Sequence, residues 1–138
     1  MPLNFIKFHG FGNDYIVIDA EQFRDSGSLG EFARRICNRH YGAGADGIAV
    51  VSPSPDETAD FQVRIFNPDG SEAALSGNGT RCAAAYLYYQ KLWQAEELRL
   101  TTRAGVKRYV LCADTVTANI SLIRSWANQS LTPSPFRC

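Results

Sequence analysis

The stretch Phe66-Asn67-Pro68-Asp69-Gly70-Ser71-Glu72-Ala73-Ala74-Leu75-Ser76-Gly77-Asn78-Gly79-Thr80-Arg81-Cys82 decides how the chain is read. Its first residue closes a run that alternates in polarity from Phe61, as a half-buried strand does. Pro68 presets φ for a turn, and Asp69 and Gly70 tolerate the conformations that follow it. Gly77 and Gly79 let backbone come close to a ligand, at the entry to a helix whose first N–H groups have no intrahelical acceptor. A helix N-terminus preceded by glycine is a natural carboxylate or phosphate site. Ser76 stands where that positive end would act on a reacting group, although serine is also an ordinary helix-start residue.

Beyond this stretch, Cys82, Ala83, Ala84, Ala85, Tyr86, Leu87, Tyr88 and Tyr89 are apolar or aromatic on every face. A helix that is apolar all round has to be buried all round. In a chain of 138 residues the simplest arrangement is a curved sheet wrapped around it, and the pattern predicts this helix over residues 80–92. Residues 98–102, a turn at Gly105, residues 106–112 and residues 116–123 read as a closing meander. Upstream, residues 4–9 alternate as a strand, Gly10 to Asp14 make a turn, and Tyr15, Ile16, Val17 and Ile18 form the returning strand. Ser28 and Glu31 are the N-cap and N3 of a capping box. The helix it opens carries Leu29, Phe32, Ala33 and Ile36 on one stripe and is predicted to end near residue 39. A glycine-rich loop (residues 42–47) leads to a buried strand at Ile48, Ala49, Val50 and Val51, and residues 52–60 form an exposed connection. The expected class is α+β: a strongly curved, mainly antiparallel sheet around a central buried helix, with a second helix outside. Residues 1–123 read as one domain and residues 124–138 as an irregular tail.

The charges balance at 14 against 14, so no electrostatic footprint for nucleic acid or an anionic membrane is expected. The apolar fraction of 45% is that of a globular protein, and no apolar run reaches bilayer length. The first residues lack the basic and apolar regions of a signal peptide, which points to the cytoplasm. Cys37, Cys82, Cys112 and Cys138 show no paired spacing. They read as reduced thiols, with no metal site expected.

Three asparagines, Asn13, Asn67 and Asn78, fall at predicted loop or strand ends. Singly each reads as a turn residue, since Asn tolerates the left-handed region. Together they offer amide donors and acceptors for an amino acid's carboxylate and ammonium. Asp46 reads equally as a turn residue or a polar site residue. His9 and His40 have no partner at ligand spacing and read as structural. Arg81 lies in the helix's first turn, the unfavourable end for a cation, which hints at a carboxylate to hold. Cys82 reads as core packing.

Three motifs in order carry a resemblance: Lys7-Phe8-His9-Gly10-Phe11-Gly12-Asn13-Asp14-Tyr15, Asn38-Arg39-His40-Tyr41-Gly42-Ala43-Gly44-Ala45-Asp46-Gly47, and the stretch quoted above. From about residue 5 to about residue 110 the sequence resembles the N-terminal half of the diaminopimelate epimerase family, among the cofactor-independent amino-acid racemases and epimerases. The resemblance implies two similar halves, each a curved sheet around a central helix, with the substrate between them. It also implies proton removal by a cysteine on one face of the α-carbon and proton return from a second cysteine on the other. Neither pyridoxal nor metal takes part, and helix N-termini aimed at the substrate carboxylate stabilise the carbanion. By position, Asn13 and Asn67 would contact the substrate and Gly77 and Asn78 would bind its carboxylate end. The implied activity is conversion of LL- to meso-diaminopimelate, in lysine and peptidoglycan synthesis.

Two departures stand out. The family's first cysteine falls at Ser76, either a natural serine branch or a cysteine lost or replaced. A serine hydroxyl is a far weaker acid than a thiol, whose pKa near ~8.5 a helix N-terminus lowers. Ser76 could deliver a proton but would be a poor base without a helper, and the sequence shows no His or carboxylate beside it. The second departure is length: the partner half with its cysteine is missing, so the chain alone is expected to be inactive. Trp126 onward shows little pattern. Back-translated and shifted by one nucleotide, the tail permits Met-Gly-Glu-Pro-Ile-Phe-Asp-Pro, similar to the family's Met-Gly-x-Pro entry into the second half. The expectation is therefore a frame slip before Trp126, against the plainer reading of a natural disordered end. Two rival functions are another superfamily isomerase or dehydratase using Ser76, and a non-catalytic half-domain that self-associates into a homodimer through exposed apolar surface.

Overall fold

The computed structural model describes residues 3–10, 12–23, 28–112, 115–117 and 123–125, with side chains described as far as residue 110. Strand β1 (Ile6–Gly10) turns into β2 (Asn13–Asp19), and a single 3-10 turn (Ala20–Phe23) leads towards helix α1 (Leu29–Ile36). Strands β3 (Gly47–Pro53), β4 (Phe61–Phe66) and the short β5 (Glu72–Ala73) precede helix α2 (Gly77–Tyr89). Strands β6 (Glu97–Thr102), β7 (Gly105–Cys112), β8 (Thr115–Thr117) and β9 (Ile123–Ser125) follow. They form one sheet of order β8-β7-β6-β4-β3-β2-β1-β9, with β5 beside β4. The β2·β3 and β4·β6 pairs are parallel and the others antiparallel. Each parallel pair is joined through a helix, as a parallel crossover requires.

Alternation along the strands assigns the two faces. Ile6 and Phe8 of β1, Tyr15 and Val17 of β2, Ala49 and Val51 of β3, and Val63 and Ile65 of β4 all pack with α2 in one core. The intervening Ile16, Ile18, Ile48, Val50 and Phe66 pack beneath α1 with Ala33 and Cys37. Nine of the thirteen residues of α2 are buried, and Leu98, Leu100 and Tyr109 from β6 and β7 close over it. The buried central helix, the curved sheet and the outer helix read from the pattern are all present.

The boundaries differ in instructive ways. Helix α2 begins at Gly77 rather than residue 80, because Ser76 caps it: its Oγ accepts the Gly79 N–H at 3.0 Å. It stops at Tyr89 because Lys91 adopts φ 57° and the chain folds back, Leu92 N–H donating to Leu87 O at 2.9 Å. Helix α1 ends at Ile36, short of the predicted residue 39. Asn38 Oδ1 there accepts the N–H groups of His40 and Tyr41, a local alternative to continuing the helix. Ser28 caps α1 through the Glu31 N–H, as the capping box predicted. Strand β9, whose last two residues lie in the stretch read as tail, pairs with β1; the tail beyond it, with Trp126 and Cys138, lies outside the described residues. Among the described residues no helix is long and apolar enough to cross a membrane.

Candidate active site at the N-terminus of the central helix

Strand register brings the candidate residues to one end of the sheet. Gly10 pairs with Asn13 at the end of the β1–β2 hairpin. Tyr15 pairs with Gly47, and Ile48 with Phe66, so Asn67 leaves β4 beside the start of β3. Asn13 shares the parity of Tyr15 and Val17, which places it on the α2 face, whereas Asn67 lies just past β4, in a turn whose Gly70 packs against Gly30 and Arg34 of α1. The N-terminus of α2 lies over this end of the sheet.

Two contacts fasten it there. The Ser76 Oγ and the Tyr15 hydroxyl are 2.9 Å apart. Asn78 lies over the hairpin, close enough that a Cβ on Gly10 would fall 3.1 Å from its Oδ1. The same Oδ1 accepts a hydrogen bond from Arg81 at 3.0 Å, so Arg81 fixes Asn78 from one helical turn away. The first i→i−4 bond of α2 runs from the Thr80 N–H to Ser76 O at 2.9 Å. The amides of Gly77 and Asn78 lie ahead of that ladder, where a helix directs unpaired N–H groups and partial positive charge outward.

The Asn67 turn is built as its sequence suggests. Asn67 O accepts the Gly70 N–H at 2.9 Å, Gly70 has φ +91°, and the Asn67 side-chain amide donates to Ser71 Oγ at 3.0 Å. Asn13 is half-buried and its Oδ1 has no hydrogen-bond partner among the described residues. A buried amide oxygen left unmatched is costly unless something else meets it.

One cluster went unread in the sequence. Asp14, 3% exposed, sits on the α1 face and accepts from Lys7 Nζ at 2.8 Å and Arg39 at 2.7 Å. The Asp46 N–H donates to Asp14, and Asp46 Oδ2 accepts the Asp14 N–H at 3.1 Å. Burial by itself would raise the Asp14 pKa. The Arg39 and Lys7 hydrogen bonds, the Lys7 charge and the Asp46 amide more than reverse it, holding the carboxyl well below the usual carboxylate range. Asp46 is thus part of an ionic brace tying the loop before β3 to the hairpin that carries Asn13. Alternation along β2 was the available signal, since Asp14 must face away from Asn13. Cys82 is fully buried, and burial pushes its thiol up to about 12, which fits a core residue. His9 Nδ1 accepts the Gly12 N–H in the hairpin at 3.2 Å. Among the described residues no group of three or more His, Cys, Asp or Glu side chains is placed to hold a metal ion.

The family model described as diaminopimelate epimerase matches residues 5–121. The chain belongs to the diaminopimelate epimerase family. It is 47% identical over 104 residues to the diaminopimelate epimerase of Moorella thermoacetica, covering 75% of this chain and 37% of that protein. Against the diaminopimelate epimerase of Alkaliphilus metalliredigens it is 40% identical over 124 residues, covering 90% of this chain and 42% of that protein. The chain therefore spans well under half the length of these family members. Its fold resembles a hydroxyproline epimerase from Agrobacterium vitis (TM-score 0.62, 22% identity, 80% of this chain and 37% of that one). It also resembles a methylitaconate-delta-isomerase (TM-score 0.66, 12% identity, 81% of this chain and 35% of that one). At those identities the likeness concerns the fold. The family match runs through Asn13, Asn67, Ser76, Gly77 and Asn78, and Ser76, where the resemblance implies a cysteine, takes the N-cap of α2.

Proposed function

We propose that this chain forms one face of a cofactor-independent amino-acid epimerase site of the kind that interconverts LL- and meso-diaminopimelate. In this reading the first-turn amides at Gly77 and Asn78 receive the α-carboxylate of the substrate. Asn13 and Asn67 meet its remaining polar groups, and Ser76 faces the α-carbon as a proton donor. The observation that supports the reading is the buried, unmatched Asn13 Oδ1 at the end of the sheet where Ser76 caps the N-terminus of α2 and meets Tyr15. When the α-proton leaves, charge spreads into the carboxylate, and a preset helix N-terminus stabilises it without reorganising. Ser76 presents a hydroxyl held by the Gly79 amide. Its hydroxyl can give a proton to the carbanion, the alkoxide left behind being at once reprotonated by water, whereas it cannot rest as the alkoxide that would remove the α-proton at neutral pH. Proton removal then falls to the opposite face, supplied by the portion of family members that this chain does not span. The chain by itself is accordingly an inactive half, and the reaction it belongs to serves cytoplasmic lysine and peptidoglycan synthesis.

The test is a titration of the chain with diaminopimelate, followed by amide NMR, with deuterium exchange at the substrate α-carbon measured in the same samples. Shifts centred on Asn13, Gly77 and Asn78 with no α-exchange are expected. Absence of those shifts at millimolar substrate refutes the site, and exchange at the rate of an intact epimerase refutes the half-site chemistry.

A further inference from the structure

Tyr15 carries a polar group that the proposed site does not use. Its side chain is 6% exposed, inside the α2 core, yet its hydroxyl reaches Ser76 Oγ at 2.9 Å. The ring is held by two glycines. A Cβ at Gly47, at the start of β3, would lie 2.6 Å from Tyr15 Cε1, and one at Gly79, in the first turn of α2, would lie 3.1 Å from the same atom. A Cβ at Gly47 would force the ring to move and one at Gly79 would crowd it, so the ring lies close against backbone on two sides.

The hydrogen bonds at Ser76 Oγ follow from counting. A serine hydroxyl has one proton and two lone pairs. One lone pair accepts the Gly79 N–H at 3.0 Å. Either hydroxyl could donate across the 2.9 Å contact, and the phenol, with pKa near ~10, is the stronger acid of the two and the better donor. Burial raises the Tyr15 phenol above its ordinary value, so Tyr15 keeps its proton through neutral pH and can donate. With Tyr15 as donor, both Ser76 lone pairs are engaged and the Ser76 proton is left the remaining tetrahedral direction, away from Tyr15 and the α2 backbone.

We infer that Tyr15 is a positioning residue for position 76: its hydroxyl donates to the atom held there, aims that atom's proton into the site, and stabilises negative charge on it. The inference deepens the proposed function and rests on it for its meaning, but it is testable without substrate. The other titratable groups that act on Tyr15 are Cys82 in α2, Asp46 before β3 and Cys37 after α1, and none of them changes in the test.

A thiol at position 76 reports the donor directly. The full chain carrying Ser76→Cys, with and without Tyr15→Phe, is alkylated with iodoacetamide across a pH series. Peptide mass spectrometry resolves position 76 from the four native cysteines. Tyr15→Phe keeps the ring in its slot and removes only the donor. In the single variant the alkylation midpoint is expected below the ordinary thiol value of ~8.5. In the double variant it is expected to rise by about one unit, which at neutral pH is roughly tenfold less thiolate. Equal midpoints overturn the inference. If Tyr15→Phe unfolds the chain, Gly47→Ala in the Ser76→Cys background displaces the ring instead: a midpoint higher than that of Ser76→Cys alone supports the donor and an equal one overturns it. Failure of the epimerase reading registers separately, as absent NMR shifts with diaminopimelate.

Discussion

Gly47→Ala is the sharpest test of how this end of the sheet is assembled. The position has no special backbone requirement, because the positive-φ glycines are Gly12, Gly44, Gly70 and Gly105, so only space is at stake. A methyl there would lie 2.6 Å from Tyr15 Cε1 and 2.9 Å from Phe66 O. Carbon atoms pack at about 3.5–4.0 Å, so the ring would have to retreat by roughly 1 Å. The carbonyl of Phe66 is anchored by β4's ladder to β3 and cannot yield cheaply. A retreat of that size stretches the 2.9 Å Tyr15–Ser76 contact beyond hydrogen-bond range. Overpacking of a close-packed core costs about 1–3 kcal/mol and the lost hydrogen bond about 1 kcal/mol more, so a total of about 2–4 kcal/mol is expected. Urea denaturation measures it as a lower midpoint at unchanged slope. Gly77→Ala is the control: a Cβ there meets nothing within 4 Å, and alanine is the better helix former by about 1 kcal/mol. Gly47→Ala as stable as the parent would refute the idea that these glycines exist to seat Tyr15.

The ionic brace predicts an acid response. Asp14→Asn removes the carboxylate that Lys7, 15% exposed, and Arg39 share, and should cost about 3 kcal/mol at neutral pH by thermal or urea unfolding, at the low end for a buried ion pair because Arg39 is half in solvent. The folded pKa of Asp14 is depressed, so its stabilisation is present above the unfolded value near ~3.9 and is lost as pH falls below it. The parent should weaken across that window while Asp14→Asn shows a shallower slope; parallel curves would discredit the brace. Cys37 and Cys82 are buried, and burial pushes their thiols up to about 11 and about 12. Both should resist iodoacetamide at pH values near ~8.5, where an ordinary thiol is half ionised, until denaturant is added. Labelling of either in the native chain at the rate of an unfolded peptide would contradict the packing described.

Much of this architecture is legible in residue order because single residues enforce it. The all-apolar run after Arg81 admits no exposed face, so a wrapped helix follows without any knowledge of partners. Ser76 as helix start and Pro68-Asp69-Gly70 as turn are local chemistry and form as read. What escaped depends on long-range register. Nothing near Tyr15 in sequence says that Gly47 and Gly79 will flank its ring, although its spacing of two from Asn13 places it on the same face. Asp14 likewise shows its role only when Lys7, Arg39 and Asp46 converge from three segments. The residues beside Ser76 held no His or carboxylate, and the neighbour that fold supplies is a tyrosine sixty-one positions away. The early end of α1 was missed because the Asn38 side chain captures two amides that helical periodicity would have assigned to the helix.

The two parallel pairings also impose an order of events at the ribosome. Strands β1 to β4 are contiguous neighbours in the sheet and can assemble as they emerge, α1 covering one face. The other face, with Val17, Ala49, Val51, Val63 and Ile65, waits for α2. Between Phe66, the end of β4, and Tyr89, the end of α2, lie twenty-three residues of synthesis, roughly 1–5 s at 5–20 residues per second. For that interval the aliphatic face of the nascent sheet has no helix to cover it. The helix that organises the site is also the plug that ends the chain's most aggregation-prone moment.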